Sequence, residues 1–351
     1  MPVIPGFIRL ALCMLCLFAF AETIKADPPL PDEAWTFTFR FENDLFADTD
    51  RNYTNGLKFS WISPDLERFR DSGVLPAWAK NWISKLPFSG KEGLQRNITF
   101  SVGQLIYTPT DIERRDLIVD DRPYAGWLYS AFSFHNKSYR HLDTIEFQFG
   151  VVGPLSQAEA AQDLIHDLRN IPKANGWDNQ LKNEPGLVLV YENKSRVVPL
   201  KTFEGWGFDA ITHYGGAAGN VYTYLNTGLE MRFGWNVPTD FGTSLIRPGG
   251  ETNAPTDSND PRYTKVGHGF SLHAFAATSA RLVLRDIFLD GNTFRDSHSV
   301  DKEWLVADFV LGLSMIIDRF KFSYAQVVRT KEFKGQDSGH NFGSISLSIT
   351  Y

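Results

Sequence analysis

The sequence predicts an all-β fold: a twelve-stranded antiparallel transmembrane β-barrel with a short helix in an extracellular loop. Three observations predict it. The chain opens on a stretch that reads as a secretory signal, it ends on an aromatic strand, and most of its strand-like segments follow one another without helices between them. Alternation by itself would also suit a soluble sandwich. In lipid every backbone group must be paired, so a membrane sheet has to close on itself. No stretch after residue 21 has the roughly eighteen continuous apolar residues that a membrane helix needs.

Residues 1–21 read as the signal peptide. Arg9 gives the basic start, "LALCMLCLFAFA" the apolar core, and Ala19 and Ala21 an A-x-A cleavage site. Residues 22–33 are a lead-in, and 34–351 form one barrel, with no internal repeat or composition break to divide it. Cys13 and Cys16 both lie in the signal, which leaves the mature chain without a disulfide framework. Of 35 basic residues only Arg9 is lost with the signal, so 34 face 41 acidic ones and the net charge is about −7. That balance gives no basis for nucleic-acid binding.

Strand one, 34–44, sets Trp35, Phe37, Phe39 and Phe41 against Thr36, Thr38, Arg40 and Glu42. "DTIEFQFGV" alternates in the same way, and so does the terminal "ISLSITY". The full set is 34–44, 53–64, 96–107, 122–137, 140–152, 184–195, 201–215, 220–236, 267–287, 302–316, 319–331 and 340–351. An even count puts both termini on the periplasmic side. "HNKSYRH", "NKSRVVPLK" and "DR" then serve as short periplasmic turns. Two periplasmic connections, 65–95 and 237–266, are long. The first holds "PAWAKNWISKL", an amphipathic piece that could lie in the interface through Trp78 and Trp82.

The densest polar clusters fall on the extracellular rim. "FENDLFADTDRNYTNG" forms its first loop, "TPTDIERRDLIVDDRPYAG" its second and residues 153–186 its third. In the first, Asp48, Asp50 and Asn52 alternate as in an EF-hand loop. The sixth position is Tyr53 and the twelfth is Phe59, so that motif fails and these are read as solvated hairpin groups. In the second, "RPYAG" reads as structural: Pro123 starts a strand, Gly126 admits a close neighbour, and Tyr124, Trp127 and Tyr129 fit an aromatic girdle.

The third loop carries the one helix, "SQAEAAQDLIHDLRN". Ser156 and Glu159 read as a capping box. Ala161, Leu164, Ile165 and Leu168 form a stripe expected to pack on the barrel wall, against the strands of Asn43 and Thr54. Gln162 and His166 are neighbours, four residues apart beside that stripe. His166 is either an ordinary surface histidine or a general base, for which its ordinary pKa is suited. Trp177, Asp178, Gln180 and Glu184 read as bracing for this loop. His213, His268 and His273 lie in or beside strands without clustered partners and read as non-catalytic.

"FENDLFADTDRNYTNGLKFSW", "DDRPYAGWLY", "GPLSQAEAAQDLIH" and "GWDNQLKNEPG", in this order, resemble the outer-membrane lipid A 3′-O-deacylases of the LpxR type. The resemblance spans the mature chain. It implies a twelve-stranded barrel that uses Ca2+ to hydrolyse the 3′-linked acyloxyacyl ester of lipid A, between the wall and an outer-loop helix. Carried over, it implies a site of Asn43, Asp44, Thr54 (Ser60 as fallback), Gln162 and His166, with Asp44 as metal ligand. Arg114, Arg115 and Arg122 would meet the lipid A phosphates.

Ester hydrolysis suits these types. His166 would deprotonate a water, a cation at Asp44 would polarise the carbonyl, and Asn43 would donate to the oxyanion. An acyl-enzyme on Thr54 or Ser60 is the alternative. The other function classes are a calcium-dependent outer-membrane phospholipase and a non-enzymatic small barrel. The expected partners are lipopolysaccharide and the outer membrane, with the chain a monomer.

Overall fold

The computed structural model describes residues 33–44, 52–73, 75–83, 85, 93–264 and 267–351. The signal segment 1–21, most of the lead-in and the 45–51 part of the first loop lie outside them. Twelve strands form one closed antiparallel barrel: β1 Thr36–Asn43, β2 Asn52–Ile62, β3 Gln95–Thr108, β4 Ala125–Lys137, β5 His141–Val152, β6 Glu184–Phe203, β7 Trp206–Gly219, β8 Tyr222–Trp235, β9 Phe270–Asp286, β10 Leu305–Ile317, β11 Phe320–Arg329 and β12 His340–Thr350. Each pairs with its sequence neighbours, and β1 closes on β12 from Thr36↔Thr350 to Asn43↔Gly343. No described helix is long and apolar enough to cross a membrane.

Alternation assigns the two faces. Thr36, Thr38, Arg40 and Glu42 are buried in the lumen, while Phe37, Phe39 and Phe41 face outward. A ladder of outward rings crosses five strands, from Phe37 through Trp61, Phe100 and Phe132 to Phe149, with centroids 5.1–6.3 Å apart. Such contacts stiffen the lipid-facing wall. Trp127 and Tyr129, expected in an outer girdle, point into the lumen and stack on one another at 5.7 Å. Tyr124 precedes β4 and packs on Trp177 instead.

Two of the three short turns are tighter than expected, and "DR" is the turn between β10 and β11. "NKSRVVPLK" is strand, because β6 runs on to Phe203, with register shifts after Arg196 and Val198. The reversal comes at Glu204–Gly205, both in left-handed backbone, the geometry of a two-residue hairpin turn. Arg196 stays in the ladder because its guanidinium pairs with the buried Asp209 of β7.

The long connection between β8 and β9 folds back into the lumen as a plug. Asp240 accepts from Arg232 at 2.6 Å, Lys321 at 2.6 Å and Arg262 at 3.1 Å. Arg247 meets Glu192 at 2.8 Å, and Glu251 meets Arg40 at 2.9 Å. The Ile246 amide donates to Glu42 at 2.6 Å and the Gly249 amide to Glu146 at 3.1 Å. Asn253 reaches both Thr38 and Ser348, bridging the first and last strands. Charges on the inner wall are thus met by the chain itself, as buried ions require.

Three short α-helices complete the described chain: α1 Ala77–Ile83, α2 Ala158–Arg169 and α3 Ile287–Asp290. At the termini-bearing end, α1 buries Ala79 and Ile83 with Phe69 against Ile98 of β3 and Phe134 of β4, and its Trp78 and Trp82 face away. At the opposite rim, α2 lies on the same two strands.

Candidate active site

The site is assembled on the outer wall by strand register. Asn43 has the outward phase of Phe41, and it stands opposite Asn55 of β2. Asn55 is opposite Ile106 of β3, and Ile106 is opposite Gly126 of β4. Adjacent strands are about 4.8 Å apart, so this row covers roughly 14 Å of wall. Asp44 follows Asn43 directly and is fully buried. Thr54 is the extra residue of a β-bulge between Tyr53 and Asn55. A bulge re-aims the inserted side chain, and here Thr54 Oγ1 meets Thr108 Oγ1 at 2.7 Å. Ser60, the fallback for Thr54, lies apart from this row. It lies within the lumen, its Oγ accepting from Ser101 at 3.0 Å.

Glycine brings the helix to the wall. A Cβ at Gly126 would collide with the side chains of Ser156 and Ala158. Ala158 joins Ile106, Tyr124, Ala174 and Trp177 in one apolar cluster, and Gln104 Nε2 donates to the Ser156 carbonyl at 2.7 Å. The capping box does not form. Residues Pro154–Ser156 make a 3-10 turn, and a left-handed Gln157 separates it from α2, so Ser156 never occupies the cap. The seat also differs from the expected one: α2 packs on β3 and β4, not on the strands of Asn43 and Thr54.

The rotation of α2 splits the expected stripe, with Ala161 packed at the edge of that apolar cluster and Ile165 half-buried. Leu164 and Leu168 are 59% and 69% exposed, whereas Gln162 and His166 are buried. Ala158, Gln162 and His166 recur every four residues along the inward face. Trp177 Nε1 donates to Gln162 Oε1 at 2.9 Å, and Trp177 packs on Tyr124. Gln162 Nε2 is buried with no hydrogen-bond partner. His166 Nδ1 lies 2.6 Å from the Pro172 carbonyl. A carbonyl can only accept, so a neutral ring carries its proton on Nδ1 and presents Nε2 as the basic nitrogen.

The flanking loops are stitched together. Asn175 and Asn179 donate to the carbonyls of Glu113 and Arg115 at 3.0 and 2.7 Å. The Leu181 amide donates to Tyr124 O at 2.9 Å, and Glu184 accepts from Asn220 and Asn292. Trp177 and Glu184 therefore brace the loop, as expected, while Asp178 is exposed. Arg114 and Arg115 are exposed on the second loop. Arg122 is not: it is fully buried, lies over the Tyr107 ring at 4.7 Å and pairs with Glu332 at 3.2 Å. Its inward turn follows from Asp121, which caps the Arg122 amide and the Thr110 amide and folds the loop end over the lumen. Burial would raise the Glu332 carboxyl, but Arg122 and Arg329 outweigh it and hold that group below its ordinary pKa.

Among the described residues, no three His, Cys, Asp or Glu side chains gather to hold a metal by themselves. From the described residues, a cation here would draw on amide, hydroxyl and carbonyl oxygens beside one carboxylate, which calcium accepts. The rim fits that requirement. It has the buried Asp44 carboxylate, and Asn55 Oδ1 is buried with no hydrogen-bond partner. Asn55 is not among the residues that the sequence singles out for the site. The signal that marks it is an amide in phase with Leu57, Phe59 and Trp61 on the apolar face.

Comparison with curated proteins gives no sequence match. Among solved structures, LpxR from Salmonella typhimurium superposes with a TM-score of 0.71 at 16% identity, covering 90% of this chain and all of that one. The β domain of the Bordetella autotransporter BrkA gives 0.39 at 9% identity, covering 91% and 98%. The family model described as "Outer membrane protein LpxR" matches residues 8–351. The chain therefore belongs to the LpxR family of outer-membrane barrels.

Proposed function

We propose that this barrel removes the 3′-linked acyloxyacyl group of lipid A in the outer leaflet by calcium-dependent ester hydrolysis. Family membership supports a lipid A-modifying enzyme of the outer membrane. The observation that carries the reaction class is the buried His166, whose Nδ1 meets a backbone carbonyl, so that Nε2 is the basic nitrogen of the neutral ring.

On this reading the loop rim is extracellular. His166 Nε2 takes a proton from the attacking water and returns it to the leaving alkoxide. Asn43 donates its amide to the ester oxygen as charge builds there. Gln162, with Oε1 committed to Trp177, retains Nε2 as a donor facing the same buried space. Asp44, Asn55 and Thr54 would supply oxygens to calcium. That ion would offset the negative charge on the ester oxygen. Arg114 and Arg115, exposed on the stitched loop, remain the cations suited to the phosphates.

Mass spectrometry of lipid A from cells expressing the chain tests the reading. Loss of one acyloxyacyl group supports it, loss of phospholipid acyl chains assigns a phospholipase, and no change returns a non-enzymatic barrel. A calcium titration of the purified protein tests the metal. Asp44→Ala should lose activity at ordinary calcium concentrations, while Asp50→Ala keeps it. The opposite outcome would move the metal into the 45–51 segment.

A further inference from the structure

Among the described residues, none covers the outward leucines of α2. Turning about 100° per residue, the helix divides into three. Ala158, Gln162 and His166 face the wall. Glu159, Asp163 and Asp167 fall on one flank, and Ala161, Leu164 and Leu168 on the other. The acidic flank has its own counter-ion: Lys173 lies 3.1 Å from both Asp163 and Asp167, and these carboxylates, Asp163 first, raise its pKa. That flank is built for water. The leucine flank is not, and two leucines at 59% and 69% exposure are costly there.

We propose that α2 is an interfacial helix, seated through Leu164 and Leu168 among the acyl chains of the bilayer's outer leaflet. The apolar surface there continues from the barrel belt. Leu187 of β6 and Phe149 of β5 stand side by side, outward and exposed, three residues below the Val152–Glu184 end of that strand pair. Leu155 extends the surface above them at 60% exposure, its amide fixed at 2.8 Å on Asn183 Oδ1. A helix lying along a barrel wall with charges on one flank and leucines on the other has one stable orientation at a membrane edge. Its charges turn to water and its leucines to the chains. The face bearing His166 then lies at the boundary between headgroups and chains, where an acyl ester sits. The inference rests on the outer-leaflet placement in the proposed function and deepens it.

The test uses the barrel in vesicles, with an environment-sensitive fluorophore on Leu168→Cys, on Leu164→Cys and, for comparison, on Asp167→Cys. The only native cysteines, Cys13 and Cys16, lie in the segment read as the signal. Heat-modifiable migration selects folded samples. In phosphatidylcholine brominated along its chains, the 164 and 168 labels should be quenched and shielded from aqueous iodide, and the 167 label should behave oppositely. Equal iodide access at all three positions overturns the proposal. So does label self-quenching at 168 that disappears when unlabelled protein is mixed in, because the occupant is then a second copy. The readout needs no catalysis, so an unchanged lipid A spectrum with a chain-quenched label would reject the deacylase and leave the seating in place.

Discussion

Two helices sit on the same strip of wall, one at each end of β3 and β4, and only one of them buries polar side chains beside its apolar ones. Beneath α1 lie Ala79 and Ile83, packed on Phe69, Ile98 and Phe134. Beneath α2 lie Gln162 and His166. The first arrangement gains free energy from apolar burial. The second must pay for desolvated amide and imidazole groups with hydrogen bonds from Trp177 and to Pro172, and it still leaves Gln162 Nε2 without a partner. A short helix that only had to cover a wall would be built like α1. The contrast marks α2 as the helix whose buried face carries groups capable of chemistry.

The contrast can be broken at its strongest point first. His166→Ala should lower lipid A deacylation on the order of 10²–10⁴-fold while the barrel stays heat-modifiable. Wild-type turnover in the purified variant would return His166 to an ordinary covered residue. His166→Leu sharpens the same point, because an apolar residue of similar size there should hold or raise the unfolding midpoint in urea. Ile83→Ala should do the reverse. It should cost about 2 kcal/mol of stability, the low end for a truncated core aliphatic, with turnover per folded molecule unchanged. A loss of turnover equal to that of His166→Ala would mean that the two helices are coupled through the wall.

Trp177→Phe keeps the ring on Tyr124 and removes the donor to Gln162. About 1 kcal/mol of stability should go with that hydrogen bond, read in the same urea titration, together with a partial loss of rate. The smallest effect concerns pH. Arg122 and Arg329 hold the folded Glu332 carboxyl below its unfolded pKa, so its contribution is present above that unfolded value. It is lost as pH falls through the folded one. Glu332→Gln should therefore flatten the acid limb of stability below about pH 4 and leave the neutral region less stable. A steeper acid limb in the variant would reverse the sign assigned to this pair.

The strands were legible because both faces of a membrane sheet are constrained. Phe37, Phe39 and Phe41 cannot exchange with Thr38, Arg40 and Glu42 without placing charge in lipid. The fold could therefore be read in advance, whereas the Asn43–Asp44 and Gln162–His166 pairs were singled out by the family resemblance. Three features could not be read in advance. The α2 stripe misled because the usual rule sends leucines toward protein, whereas at a membrane edge they can face outward. The plug was hidden because 237–266 has no periodicity and its partners, Arg40, Glu146, Glu192 and Arg232, come from four separate strands. Arg122 was misplaced because a single charge in a polar loop carries no phase, and only Glu332, 210 residues away, shows which side it faces.

The Asn253 bridge between Thr38 and Ser348 bears on biogenesis. It spans the seam where the first strand meets the last, and Glu251 occupies the first strand's Arg40. The plug residues are synthesised well before β12, so they are present while the sheet is still open. Zipping β12 onto β1 brings together the two hydroxyls that Asn253 bridges, so the seam and the plug share one set of contacts. Loosening the plug at Asn253 therefore loosens the closure of the ring as well.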